Sequence, residues 1–129
     1  MDIILLIGRI LFGGFFVMTG INHFTKLAMM KSYAASKGMP AVGTAVVVSG
    51  LMLLAGGLSI ILGLYVEVGV WLLVIFLLIA AFTFHAYWGE IDPQTRMTQM
   101  MFFMRNIALI GAALITLAIP MPWALALTF

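Results

Sequence analysis

An all-α fold, an integral membrane four-helix bundle in one domain, is what three features of the sequence predict. Of its 129 residues 65% are hydrophobic and 8% charged, too little polar surface to cover a water-soluble globule. Four apolar stretches approach the roughly twenty residues needed to cross about 30 Å of hydrocarbon. Between and at the ends of these stretches sit nearly all the ionisable residues, in short polar connections.

Each element follows from local signals. The first span is expected at about 3–24, where roughly 22 residues at 1.5 Å rise cover about 33 Å. It has no basic leader region and carries Arg9, so it reads as a membrane helix and not a cleaved signal. Segment 26–39 places Lys26, Lys31 and Lys37 among Leu27, Met30 and Tyr33, the pattern of an interfacial helix. Gly38 and Pro40 end it. The second span, about 43–64, is uncharged, with Ala55, Ser59 and Gly63 at four-residue spacing as a small-residue packing seam. A short turn at Tyr65 and Val66 makes the third span, about 67–88, return antiparallel. Asp92 and Pro93 read as an N-cap and first-turn proline opening the last helix, whose crossing is placed at about 99–119. Pro120 and Pro122 stop it, and Trp123 has the place of an interfacial anchor.

Charge and composition exclude several classes. Six Lys and Arg against four Asp and Glu make no nucleic-acid footprint. Without cysteine there is no disulfide, thiolate metal site or thiol relay. The eleven methionines, scattered over several helices, read as core filler, so no metal site is expected. Lys26, Lys31, Lys37 and Arg96 all fall on one side of the predicted topology. By the positive-inside rule that side is cytoplasmic and both termini are non-cytoplasmic.

An ionisable residue within a span costs about 2.5–3.5 kcal/mol at the bilayer centre unless it snorkels or is partnered. At 100° per residue Arg9, Gly13, Phe16, Gly20 and His23 form one narrow stripe that should face protein, as should Glu67, Trp71, Leu78, Ala81 and His85. Two polar layers result. Arg9 and Glu67 are expected to form a structural ion pair near the non-cytoplasmic surface. His23, His85, Arg105 and Asn106, with Asn22 nearby, form a second layer near the other surface. Interfacial roles for these residues compete with ligand binding. Two histidines on parallel helices are also the ligand set of a bis-imidazole haem, but four short helices lack the volume to enclose one, and no haem is expected. A non-covalently held quinone fits better, since its carbonyl oxygens need donors and its isoprenoid tail needs an apolar cleft.

The chain resembles the DoxX-like membrane proteins almost end to end. Gly8-Arg9, Gly20-Ile21-Asn22-His23-Phe24, Gly38-Met39-Pro40, the run from Ser49-Gly50 to Gly56-Gly57 and the His85 to Trp88 region carry the likeness. Arg105-Asn106-Ile107-Ala108-Leu109-Ile110-Gly111 resembles the family's Lys-Asn-Leu-Ala-Leu-x-Gly run, with Arg for Lys. That change replaces a compact ammonium with a planar fork. The resemblance implies an accessory subunit, some relatives being linked to thiosulfate:quinone oxidoreductase or to other membrane oxidoreductase complexes. It maps functional positions onto Arg9, His85, Arg105 and Asn106.

The expectation is therefore a DoxX-like subunit of a quinone-linked oxidoreductase system in the bacterial cytoplasmic (inner) membrane. Its cofactor-binding residues would be His23, His85, Arg105 and Asn106. The alternative is a non-catalytic membrane scaffold. Its partners would be lipids and another membrane protein or itself, with no nucleic acid. No residue is assigned a catalytic role. An ion path through the Arg9 layer is disfavoured because the middle of the bundle is apolar.

Overall fold

The computed structural model describes residues 1–126. Five α-helices follow in order: α1 (Asp2–Thr25), α2 (Leu27–Ser36), α3 (Val42–Leu62), α4 (Val66–Thr83) and α5 (Pro93–Thr116), with a 3₁₀ turn at Tyr87–Gly89. Four stretches, Asp2–Thr25, Val42–Leu62, Val66–Gly89 and Pro93–Thr116, are long and apolar enough to cross a membrane. α1 packs on α3, α3 on α4 and α4 on α5, while α2 lies against α3 and α1. The core runs through Phe16, Leu53, Ile60, Val70, Leu73 and Leu77, closed by Ala113 and Trp123.

Lipid tails are as apolar as leucine, so helices in a bilayer associate by close packing and hydrogen bonding, not by hydrophobic burial. The α1–α3 contact shows how. A Cβ on Gly13 would stand 2.6 Å from the Gly57 carbonyl oxygen, and one on Gly57 would stand 2.6 Å from that of Gly13. Two turns along, a Cβ on Gly20 would lie 3.0 Å from the Gly50 oxygen. The seam of α3 toward α1 is thus Gly50 and Gly57, and of the predicted Ala55, Ser59 and Gly63 none lies on it, though Gly63 is buried beside Ala126. Ala55 is exposed, and Ser59 instead packs against Gly69 of α4. Gly56 also faces α4, beside Leu73.

Gly63 ends α3 in the left-handed region, φ 69°, its N–H and that of Leu64 both donating to the Ser59 carbonyl. Gly38 closes α2 the same way at φ 76°, with Gly38 N–H to Ala35 and Met39 N–H to Ala34, a Schellman end. The predicted break at Gly38 and Pro40 is present. α5 opens where its cap signal stands: the Asp92 carboxylate accepts from the Thr95 N–H at 3.0 Å and hydroxyl at 2.8 Å. Those two bonds, the backbone one first, hold its carboxyl below the usual range. The helix therefore begins six residues earlier than the predicted crossing at 99, and it ends at Thr116.

Two sequence expectations about faces diverge. In α1 the buried residues are Arg9, Gly13, Phe16, Gly20 and His23, the predicted stripe in full. In α4 the buried face is instead Val66, Gly69, Val70, Leu73, Val74, Leu77, Ala80 and Ala81. Glu67, Trp71 and Leu78 are exposed. The predicted stripe ran from Glu67 to His85, but α4 stops at Thr83, so His85 does not share its helical phase. Trp123 is also not an interfacial anchor. It is 3% exposed, because the chain after α5 turns back over the bundle end.

Candidate ligand cavity

The Arg9 layer is a clamp between α3 and the returning C-terminal segment. Arg9 is 3% exposed. Its Nε donates to the Ile60 carbonyl at 3.1 Å, Nη1 to Ala124 at 2.6 Å, and Nη2 to Ile61 at 2.6 Å and Leu125 at 3.4 Å. The guanidinium carbon lies 5.5 Å from the centroid of the Trp123 ring. Ile60 and Ile61 belong to the last turn of α3, whose carbonyls have no intrahelical partner and carry the negative end of the helix dipole. The expected ion pair with Glu67 does not form. Glu67 is exposed in the first turn of α4, and backbone carbonyls take the donors it was expected to receive.

At the opposite end a cavity of about 600 Å³ opens under α2, between α1, α3, α4 and α5. His23, His85, Arg105 and Asn106 all line it. Most of its wall is apolar or aromatic, including Phe15, Phe16, Met52, Leu53 and Phe76, and among the described residues no Asp or Glu lines it. Val48 of α3 and Ile79 of α4 belong to the wall and are 48% and 52% exposed, so the cavity reaches the lipid-facing surface. Its size falls within the ~300–1,000 Å³ usual for small-molecule sites.

Each polar group is held by its own helix or its neighbour. His23 Nδ1 lies 2.9 Å from the Thr19 carbonyl oxygen one turn back. A carbonyl only accepts, so in the neutral ring the proton is on Nδ1 and Nε2 is an acceptor. Nε2 has no hydrogen-bond partner among the described residues. No fully enclosed side-chain nitrogen or oxygen among them is unpaired, so Nε2 is open to the cavity that His23 lines. Asn106 is 3% exposed. Its Oδ1 accepts from Arg105 Nη2 at 3.4 Å, and by the same reasoning its Nδ2 is an open donor. His85 lies beyond the end of α4, its Nδ1 2.8 Å from Gln99 Oε1, which orients the ring in the same sense.

Arg105 and His85 share the cavity but not a depth. Gln99 marks the level of His85 on α5, and Arg105 lies six residues further on, about 9 Å deeper. Phe102 spans the gap, 5.3 Å from the His85 ring and 5.0 Å from the Arg105 guanidinium carbon. Phe15 of α1 faces Arg105 from across the cavity at 6.0 Å. Asn22 is not among the lining residues.

The roof of the cavity has little signature in the sequence. Tyr33 of α2 stacks on Phe84 at 5.7 Å and donates its hydroxyl to the Phe84 carbonyl at 3.3 Å. Lys37 reaches Glu90 at 3.5 Å. These contacts hold α2 over the α4–α5 connection. A tyrosine on a lysine-bearing interfacial segment was the available signal, but nothing in its spacing says which connection it meets.

These features define a class, a multi-pass helical membrane protein with a ligand-sized cavity near one end of the bundle. A family model described as DoxX matches residues 4–86, well over half of the chain, and the chain belongs to the DoxX family. No curated protein and no solved structure matches it.

Proposed function

We propose that the chain is a membrane subunit of a quinone-linked oxidoreductase system and that the cavity under α2 takes the quinone head group. The observation that carries this reading is the convergence of His23, His85, Arg105 and Asn106 on one otherwise apolar cavity that reaches the lipid surface. Arg105 and Asn106 donate to a head-group oxygen, and the aromatic wall takes the ring. The opening between α3 and α4 lets an isoprenoid tail run into the bilayer. With Arg105 present and no carboxylate in the wall, the cavity favours electron-rich oxygen ligands over cations.

Purification in mild detergent, lipid extraction and mass spectrometry test this directly. Quinone should co-purify with the unsubstituted protein. Arg105→Leu should lower its affinity roughly ten- to a hundredfold, the usual loss of a charged donor, and Asn106→Leu, which removes the second donor, should also reduce bound quinone. Both variants should remain folded and inserted. Quinone-free protein, or full retention in both variants, would reject the reading.

In this reading α2 and the α4–α5 connection face the cytoplasm of a bacterial cell and both termini lie outside, since Lys26, Lys31, Lys37 and Arg96 share that side. A single cysteine introduced as Ser36→Cys should be protected from a membrane-impermeant thiol reagent in intact cells and labelled after lysis. Labelling before lysis would invert the topology.

A second reading, a scaffold for another membrane protein, is favoured by one observation. α5 buries only Asn106 and Ala113, leaving Met97, Met101, Met104, Ile107 and Ile115 exposed. A stoichiometric protein partner without quinone would select it.

A further inference from the structure

Resting on the quinone reading, we propose that the cavity is selective for the reduced, dihydroxy form of its ligand, with His23 Nε2 as the acceptor that makes the distinction. A quinone offers only acceptor oxygens, whereas a hydroquinone oxygen both donates and accepts. Arg105 and the Asn106 amide nitrogen are donors, and an oxygen of either form satisfies them. They supply affinity without redox preference.

His23 differs. Its Nδ1–H is committed to the Thr19 carbonyl at 2.9 Å within the same helix, so the neutral ring cannot turn a donor toward the cavity without leaving that carbonyl. Its ring is held edge-on to Phe76, with 5.9 Å between centroids, and its Cβ stands 2.9 Å from where a Cβ on Gly50 would be. The ring is thus fixed by packing as well as by its hydrogen bond. Against Nε2 a carbonyl oxygen would set lone pair against lone pair beside a ring that is itself buried, His23 being 8% exposed. A hydroxyl there closes the bond. His85, with Nδ1 tied to Gln99, presents a second acceptor of the same sense from the cavity wall.

The test compares a short-chain benzoquinone with its hydroquinone, kept reduced under argon, binding to the purified full-length protein in nanodiscs. The hydroquinone should bind roughly five- to tenfold more tightly, the worth of one hydrogen bond. His23→Phe should weaken the hydroquinone and leave quinone affinity unchanged or raised, so that the preference disappears. His23→Gln, which keeps an acceptor, should retain part of the preference. Equal binding of the two forms, or equal weakening of both by His23→Phe, would overturn the assignment of His23 while leaving the quinone site standing. Binding of neither form would remove the quinone reading itself. A readout independent of ligand is the ¹⁵N spectrum of histidine-labelled protein, which should show His23 protonated on Nδ1 and bare on Nε2. A proton on Nε2 would refute the proposal.

Discussion

Arg9→Leu should unlatch the C-terminal segment and destabilise the bundle by about 2–4 kcal/mol. Four carbonyls, two at the end of α3 and two in the returning chain, accept from this one guanidinium. Leucine removes every donor and leaves carbonyls in a low-dielectric setting, where each unpaired group costs about 1–3 kcal/mol. Relaxation toward water or headgroups recovers part of that sum. Trp123, packed 5.5 Å from the guanidinium carbon and 3% exposed, reports the event: its fluorescence should shift to the red as denaturation moves to lower detergent concentration. Arg9→Lys should recover only part of the stability, since a single ammonium has three donors and no fork to span two chain segments. Glu67→Leu should change stability by less than about 0.5 kcal/mol, as for exposed sites, and should not rescue Arg9→Leu. A loss on Glu67→Leu as large as that on Arg9→Leu would restore the ion pair that the geometry denies.

The contrast between α1 and α4 shows what a membrane sequence can reveal. In α1 polar and small residues interrupt an apolar background at helical spacing, and that interruption is itself the signal. Arg9, Gly13, Phe16, Gly20 and His23 were therefore legible as the inner face, and they are its buried residues. α4 has such residues only near its ends, Glu67 and Gly69 at the start and Ala80 and Ala81 at the finish. Its middle, from Val70 to Ile79, is apolar on every side because lipid and protein make similar demands, so nothing in that run marks the inner face of Val70, Leu73, Val74 and Leu77. A stripe drawn through Glu67 and His85 joined one exposed first-turn residue to one beyond the helix end.

The polar layer near α2 was legible as a set, since all four residues line one cavity, but not as geometry. Its depth depended on where α5 begins, and Asp92-Pro93 had the cap signal ahead of the more hydrophobic run. The donor and acceptor sense of His23 depended on the Thr19 carbonyl one turn away, a backbone contact that the order of side chains does not display. The partners of Arg9 are hidden from the sequence for a related reason. Its partners Ala124 and Leu125 lie 115 and 116 residues away along the chain and act through the main chain, which carries no sequence label.

Gly57→Ala should be among the most damaging single-methyl additions in the chain, destabilising by about 2–3 kcal/mol, the upper part of the overpacking range. The new Cβ would stand 2.6 Å from the Gly13 carbonyl oxygen and 2.9 Å from Val17 Cγ2. The first of these is backbone, so relief requires α1 and α3 to move apart. Separation would also loosen the neighbouring contact two turns away, where Gly20 meets Gly50, because both pairs lie on one antiparallel seam. Since bilayer packing gives no hydrophobic gain on association to absorb the lost contact, little compensates. The converse substitution supplies the scale. Gly111 lies in α5 with nothing within 4 Å of its would-be Cβ, and Gly111→Ala should be neutral or stabilising by up to about 1 kcal/mol through helix propensity. Both variants add one methyl group to a transmembrane glycine, so composition and insertion hydrophobicity are matched. A difference of at least about 2 kcal/mol in reversible detergent unfolding is the expected result. Equal stabilities for Gly57→Ala and Gly111→Ala would mean that α1 and α3 do not meet backbone to backbone at Gly13 and Gly57.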